Sequence, residues 1–250
     1  MKSGDGDKSL EMNDLQLRSH GVTDPMASRW VTFDCFGTLV DWYTGFTAIL
    51  REFAGDRVAE LLAAYHRHER AAESERPHRM YKDVLATAVR CAADEIGLAV
   101  TDDQATALAR RWGSLPVFAD VEPALAGLRS AGYRLAVLTN CDDDLFAQTQ
   151  RSFRQPFDLV ITAEQVKDYK PSLSHSRRFF RVSGVEMSDW VHVACSWFHD
   201  IAPAREFGLK RIWVDRDCTG EDPAGATVRL ADATGLVEAV KRLDASSPSS

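Results

Sequence analysis

From residue 29 onward the chain alternates short apolar runs with stretches of helical periodicity. The runs are Trp30–Phe33, Leu135–Leu138, Leu159–Ile161, Val191–Ala194 and Arg211–Val214, each bounded by polar or turn residues. Uninterrupted apolar runs of this length suit strands buried on both faces of a parallel sheet. Helical patterns fill the gaps: Pro123–Ala131 before Gly132, Asp143–Phe153, Leu173–Val182 before Gly184, Ile201–Phe207 before Gly208, and Ala233–Leu243. A glycine just past the last helical residue is the expected stop, because it accepts the left-handed backbone of a helix end. Strand and helix in alternation predict an α/β fold, a doubly wound parallel sheet with helices on both faces.

One section breaks the rhythm. Residues 43–114 carry helical patterns only, over Phe46–Ala54, Val58–Ala72, Tyr81–Ile96 and Asp102–Trp112. Such an insert after the first strand predicts a helical cap over the sheet's active edge, with the α/β core made of residues 29–42 and 115–245. Residues 1–28 are polar and lack apolar period, so a flexible arm is expected there. The tail Asp244–Ser250 has the same character, with residues 246–250 expected to be flexible.

Composition narrows the class. No stretch approaches the roughly 18 apolar residues of a membrane span, and the opening MKSGDGDKSLEMND lacks the basic and apolar regions of a signal peptide. A soluble, cytoplasmic protein is the expectation. Thirty basic against thirty-seven acidic residues give a net charge of -7, which repels phosphate backbones and anionic lipid, so neither nucleic acid nor membrane is expected as a partner. Cys35, Cys91, Cys141, Cys195 and Cys218 are odd in number and form no CxxC pair, which argues for reduced thiols.

In open α/β sheets a ligand sits beyond the carboxyl ends of the strands. Four of those ends carry a coherent polar set. The first reads Asp34-Cys-Phe-Gly-Thr38, where Gly37 allows a tight turn and Thr38 can hydrogen-bond the aspartate or a bound anion. The second ends in Thr139-Asn140, donors to a negative group, with Asp142 to Asp144 expected to cap the helix that follows. Lys170, before Pro171 at the expected start of the next helix, can place an ammonium beside Asp34. The fourth ends in Cys195-Ser-Trp-Phe-His-Asp200, where Asp200 can serve as a base, a metal ligand, a partner of Lys170 or a plain helix cap.

Asp34, Thr139, Lys170 and Asp200, in this order on successive strands, resemble the haloacid dehalogenase superfamily over residues 29–245, and most closely its type II 2-haloacid dehalogenases. The resemblance implies a Rossmann-like sheet with a helical cap. It also implies Asp34 as nucleophile, Thr38, Thr139 and Asn140 as donors, Lys170 as the orienting lysine and Asp200 as the fourth acid. A small carboxylate substrate is implied, and a homodimer is compatible with it. Residues placed to bind substrate are Cys35, Phe36, Trp42, His66, Arg67, Ser196 and Trp197. Cys35 also reads as a small core residue, and Trp42 and Trp197 as packing residues or the walls of a pocket for a partly apolar or cationic ligand.

Phe36 occupies the position where the superfamily's phosphatases resemble one another in a second aspartate, the general acid for a leaving alcohol. Phosphate-ester hydrolysis is therefore expected to be poor, and no cofactor or metal is expected; Mg²⁺ enters only under the phosphatase alternative. Displacement of a halide needs no proton, so attack of Asp34 on carbon, through an aspartyl ester, fits the residues present. The sequence departs from type II dehalogenases in holding Trp197 and Ser176 where these resemble one another in Asn and Tyr, and His66 or Arg67 where they share a cap arginine. Cleavage of a strained C–N bond, as in azetidine-2-carboxylate, is the competing reaction, and a non-catalytic binding protein the competing class. The basic stretch from Tyr65 to Arg79, with Glu69, Glu73 and Glu75 interleaved, reads as a solvated helix face.

Overall fold

The computed structural model describes residues 29–218 and 220–245; the expected arm at 1–28 and tail at 246–250 lie outside the described residues. Six parallel strands form one sheet: β1 (Trp30–Phe33), β2 (Arg134–Thr139), β3 (Leu159–Thr162), β4 (Trp190–Ala194), β5 (Lys210–Val214) and β6 (Val228–Leu230), in the order β3-β2-β1-β4-β5-β6. The five apolar runs are five of these strands. β6 is the sixth and was not expected: three residues with a polar centre, Val-Arg-Leu, give too short an alternation to stand out. β1 lies between β2 and β4, with Val31 opposite Leu135 on one side and Val191 on the other. β2 and β3 lie on one side of β1 and β4 to β6 on the other, so the strand order reverses at β1 and a crevice opens beyond its carboxyl end.

The helices are α1 (Trp42–Ala54), α2 (Val58–Ser74), α3 (Tyr81–Glu95), α4 (Val121–Ser130), α5 (Asp143–Gln150), α6 (Ser174–Ser183), α7 (Ala202–Glu206) and α8 (Leu236–Ala245). Short helical turns lie at Asp102–Ala105, Ala107–Arg110 and Ala163–Val166. Between β1 and α4 every regular element is helical. Side chains of β1, β2 and β4 alternate between two apolar cores. Val31, Phe33, Leu135, Val137, Val191 and Val193 share one with the helical insert. Trp30, Ala136, Leu138 and Trp190 pack with Phe179 of α6 in the other. Among the described residues no helix is long and apolar enough to cross a membrane.

Four local expectations are corrected. The single helix over Asp102–Trp112 is broken at Thr106, whose hydroxyl bonds back to the carbonyls of Asp102 and Asp103 and competes with the helical ladder. α6 begins at Ser174 rather than at Pro171. Asp244 belongs to the fold, not the tail: it lies in the last turn of α8 and accepts hydrogen bonds from Tyr133 and Arg29. Asp142 does not cap its own helix with its side chain.

Instead, both carboxylate oxygens of Asp142 receive the first backbone amides of α3, from Tyr81 at 2.7 Å and Lys82 at 2.9 Å. A fully buried aspartate in the loop after β2 thus satisfies two orphan donors of a helix in the insert. Asp142→Ala is expected to lower stability by about 1–2 kcal/mol, read from urea denaturation, because those amides lose their acceptor.

Candidate active site

Asp34 stands one residue past β1, and its amide extends the strand ladder to Val193 O at 3.0 Å. The chain then folds back at once: the amides of Leu39 and Val40 both donate to Cys35 O. The turn works only with glycine at position 37, where φ is +95° and a Cβ would lie 2.7 Å from Cys195 Sγ. Thr38 is thereby carried back under the aspartate. Its hydroxyl donates to Asp34 Oδ2 at 2.7 Å and accepts from the Cys195 amide at 2.8 Å.

The other aspartate oxygen, Oδ1, receives Lys170 Nζ at 2.7 Å. The same ammonium donates to Asp200 Oδ1 at 2.8 Å and to Leu138 O at 3.0 Å, so its three protons are all used. Asn140 clamps the lysine's backbone, accepting from Lys170 N at 2.8 Å and donating to Lys170 O at 3.3 Å. Burial opposes the charge on Lys170, but Asp200 and Asp34 outweigh it and hold the ammonium well above the ordinary lysine pKa. Burial likewise opposes ionisation of Asp200, and the Lys170 charge with the His192 hydrogen bond holds its carboxyl far below the usual range.

His192 was not anticipated. It lies inside β4 beside Thr32, whose hydroxyl is 2.9 Å from His192 Nδ1 and accepts from Trp190 Nε1 at 2.8 Å. Its Nε2 is 3.2 Å from Asp200 Oδ1. One proton arrangement satisfies every contact: Trp190 donates to Thr32, Thr32 to Nδ1, and Nε2–H to Asp200. A polar line through the sheet therefore aims Asp200. A histidine within an apolar run was the one available signal. Asp200 itself is not the cap of a helix; it sits within a wide five-residue turn, Trp197–Ile201, whose start is capped by the Ser196 side chain.

Above these groups lies a cavity of about 400 Å³ between the sheet edge and the helical insert. Of the residues singled out from sequence, Asp34, Phe36, Trp42, His66, Asn140, Lys170, Ser196, Trp197 and Asp200 line it. Thr38 does not line it and touches Asp34 from below. Thr139 does not line it either; its buried hydroxyl donates to Cys141 Sγ at 3.6 Å. Cys35 is fully buried in the core, and burial pushes its thiol pKa up, so it is neither a binding nor a reactive group. Arg67 faces the other way, exposed and paired with Glu95. The helix counted from sequence as a solvated face instead turns Glu69, Arg70 and Glu73 into the cavity, because positions 66, 69, 70 and 73 share one side of α2.

Arg70 makes no ion pair or hydrogen bond among the described residues, and its guanidinium lies 5.8 Å from the centre of the Phe198 ring. Glu69 accepts from Tyr65 at 2.8 Å and Tyr81 at 2.6 Å, with His66 Nδ1 3.4 Å away. Burial works against its charge, yet the hydrogen bond and charge of His66 and the tyrosine hydroxyls keep its pKa below the ordinary value. Glu73, one turn on, accepts from Asn140 Nδ2 at 3.4 Å. Burial, reinforced by the charge of Glu69, raises its pKa well above the ordinary carboxylate range.

A buried aspartate at a strand tip, held by a lysine and backed by a second acid, forms a charged cluster at the carboxyl edge of an α/β sheet, where ligands of such folds sit. A family model for haloacid dehalogenase-like hydrolases matches residues 29–208. The phosphoserine phosphatase of Thermus thermophilus is 30% identical over 131 residues, 51% of this chain and 53% of that protein. Haloacetate dehalogenase H-2 of a Moraxella species is 23% identical over 208 residues, 79% of this chain and 90% of that protein. The chain thus spans about half the length of the phosphatase and nearly all of the dehalogenase. A crystal structure of an L-2-haloacid dehalogenase shares the fold with a TM-score of 0.78 and 22% identity, covering 86% of this chain and 99% of that one. The chain belongs to the haloacid dehalogenase-like hydrolases.

Phosphatases of this superfamily use Mg²⁺, and the residues present do not fit it. Mg²⁺ wants near-octahedral oxygen ligation. Here Asp34 and Asp200 each give an oxygen to Lys170, which takes the place of a metal between them. Among the described residues no three His, Cys, Asp or Glu side chains are grouped to hold a metal.

Proposed function

We propose that the protein hydrolyses a small 2-substituted carboxylic acid by displacement at carbon, the chemistry of a 2-haloacid dehalogenase, with Asp34 as the nucleophile and the helical insert as its cap. The observation that carries this reading is the fixing of both Asp34 oxygens, by Thr38 and Lys170, at the floor of a largely aromatic cavity that has Phe36 where a leaving alcohol would need an acid. A carboxylate so oriented is a near-attack nucleophile. Its oxygen bonds to the substrate carbon, the leaving group departs with the electron pair, and an aspartyl ester remains. Water then adds to the Asp34 carbonyl carbon, and Lys170 with Thr38 stabilises the oxyanion that forms. His199 lines the cavity, burial lowers its pKa, and its Nδ1 is 2.9 Å from Ser196 Oγ; in the tautomer whose Nδ1–H donates to that hydroxyl, Nε2 is the base that takes the proton of the attacking water. Asp200 acts through Lys170.

Single turnover of 2-chloropropionate in H₂¹⁸O tests the covalent step. Label is expected in the Asp34 peptide first and in product only on later turnovers; label in product on the first turnover overturns the reading. Activity is expected to survive EDTA, and a strict Mg²⁺ requirement with good phosphate-monoester hydrolysis would move the chain to the phosphatase branch.

The substrate's carboxylate needs a cation, and Arg70 is the cavity cation not already paired. Losing a hydrogen bond to a charged group costs about 1.5–3 kcal/mol, so Arg70→Ala is expected to raise KM about 10- to 100-fold with a smaller change in kcat. Arg67→Ala, which removes only the exposed pair with Glu95, is expected to leave KM within about twofold.

A further inference from the structure

The charges of the cavity do not suit a simple anion. Asp34, Glu69, Glu73, Asp200, Asp217 and Glu221 line it, against the fixed cations Arg70 and Lys170, and Lys170 is consumed by the two aspartates. A 2-substituted acid that also carries an ammonium matches these charges better than one whose only charge is the carboxylate that meets Arg70. We infer that the wall formed by Glu69 and Glu73 is an ammonium subsite, so that the substrate is a small amino-acid zwitterion whose carboxylate meets Arg70 and whose nitrogen meets the two glutamates.

Three features carry this beyond the presence of acids. Glu69 and Glu73 lie one helical turn apart on α2 and flank Arg70, so opposite charges are presented within the length of one small molecule. Glu69 is held by two tyrosine hydroxyls and a histidine, which fixes a carboxylate without neutralising it by a lysine or arginine. The surrounding wall is aromatic, with Trp42, Phe46, Tyr81 and Trp112 lining the same cavity, and ring faces attract an ammonium rather than a halide. Asp200 lines the same cavity, 3% exposed, and its Oδ2 has no hydrogen-bond partner among the described residues. The raised pKa of Glu73, from burial and then from the charge of Glu69, agrees with this arrangement, since a cation entering between the two carboxylates relieves their repulsion.

This inference rests on Asp34 being the reactive centre of the same cavity, and binding separates the two. The full chain is titrated with L-proline, a zwitterion, and with cyclopentanecarboxylate, the same ring without nitrogen, following heat and tryptophan fluorescence. L-Proline is expected to bind at least tenfold more tightly, and Glu69→Gln and Glu73→Gln to remove most of that preference while leaving cyclopentanecarboxylate unchanged or better bound. Where Glu69→Gln fails to fold for want of its tyrosine partners, Glu73→Gln carries the comparison. Equal or tighter binding of cyclopentanecarboxylate by the native protein, binding of neither compound, or an undiminished preference in the glutamate variants overturns the subsite. Failure of the ¹⁸O experiment with the proline preference intact would instead sink the covalent mechanism and leave the subsite standing.

Discussion

Asp34→Asn is expected to lower kcat by about 10⁴-fold or more, the scale seen when a nucleophile is removed, while the protein stays folded. The amide keeps the shape of the carboxylate. Its oxygen can still accept from Lys170, and its nitrogen can donate to Thr38, whose hydroxyl already accepts from the Cys195 amide and has a second lone pair to offer. What is lost is one of the two anions around the ammonium, a stability cost of about 1–3 kcal/mol. Lys170 retains Asp200 and the Leu138 carbonyl. A pre-steady-state trace should show no covalent enzyme species by intact mass, with a near-native circular dichroism spectrum. More than about 1% of native turnover would mean that Asp34 orients rather than attacks. Cys35→Ser beside it is the natural control, because the buried thiol faces the core.

The parts of this molecule that could be read from sequence are those where local pattern and tertiary demand agree. The apolar runs became five strands because both faces of a parallel sheet are buried, and the strand tip of β1 with the segments that follow β3 and β4 brings Asp34, Lys170 and Asp200 together across 136 and 30 residues of chain. What could not be read is side-chain direction on a helix whose two faces are both polar. The stretch from His66 to Glu73 has charges all round, so its composition fits a solvated face equally well in any rotation. Packing of Leu61, Leu62 and Tyr65 against the rest of the insert fixes that rotation, sends Arg67 to Glu95 and brings Arg70 to the cavity. Asp142 was misassigned for a related reason. A short acidic run before a helix is a sound capping signal, yet a second helix starting at Tyr81 competed for the same carboxylate, and sequence distance hides such competition. His192 is the converse case, a polar residue among apolar ones whose partners, Thr32 and Asp200, come from another strand and a following turn.

Lys170→Met is expected to destabilise the protein by about 3–5 kcal/mol at pH 7 and to introduce a pH dependence between about pH 5 and 8 that the native cluster lacks. In the native cluster the depressed pKa of Asp200 contributes stability that is present above the ordinary aspartate pKa and lost as pH falls through the lower folded value. The raised pKa of Lys170 contributes stability present below the ordinary lysine pKa and lost as pH rises through the higher folded one. The native protein should therefore hold its stability from about pH 5 to pH 9 as far as this cluster is concerned. Methionine has similar length and no charge, so it leaves Asp34 and Asp200 facing each other in a nearly dry site, 6% and 3% exposed, with only Thr38 and His192 as donors. Burial and like charge then both favour the protonated acid, and the pair must take up a proton above the ordinary aspartate pKa. Stability in the variant should rise as pH falls from 8 to 5, over a range where the native protein is flat. Urea denaturation at several pH values reads this directly. The same flat profile in Lys170→Met would show that the ammonium is not what keeps Asp200 ionised. Adding Asp200→Asn to Lys170→Met should restore part of the lost stability and flatten the profile again, because one buried charge is removed along with its proton equilibrium. Turnover should stay low in both, since neither restores the group that holds Asp34 in line with its substrate.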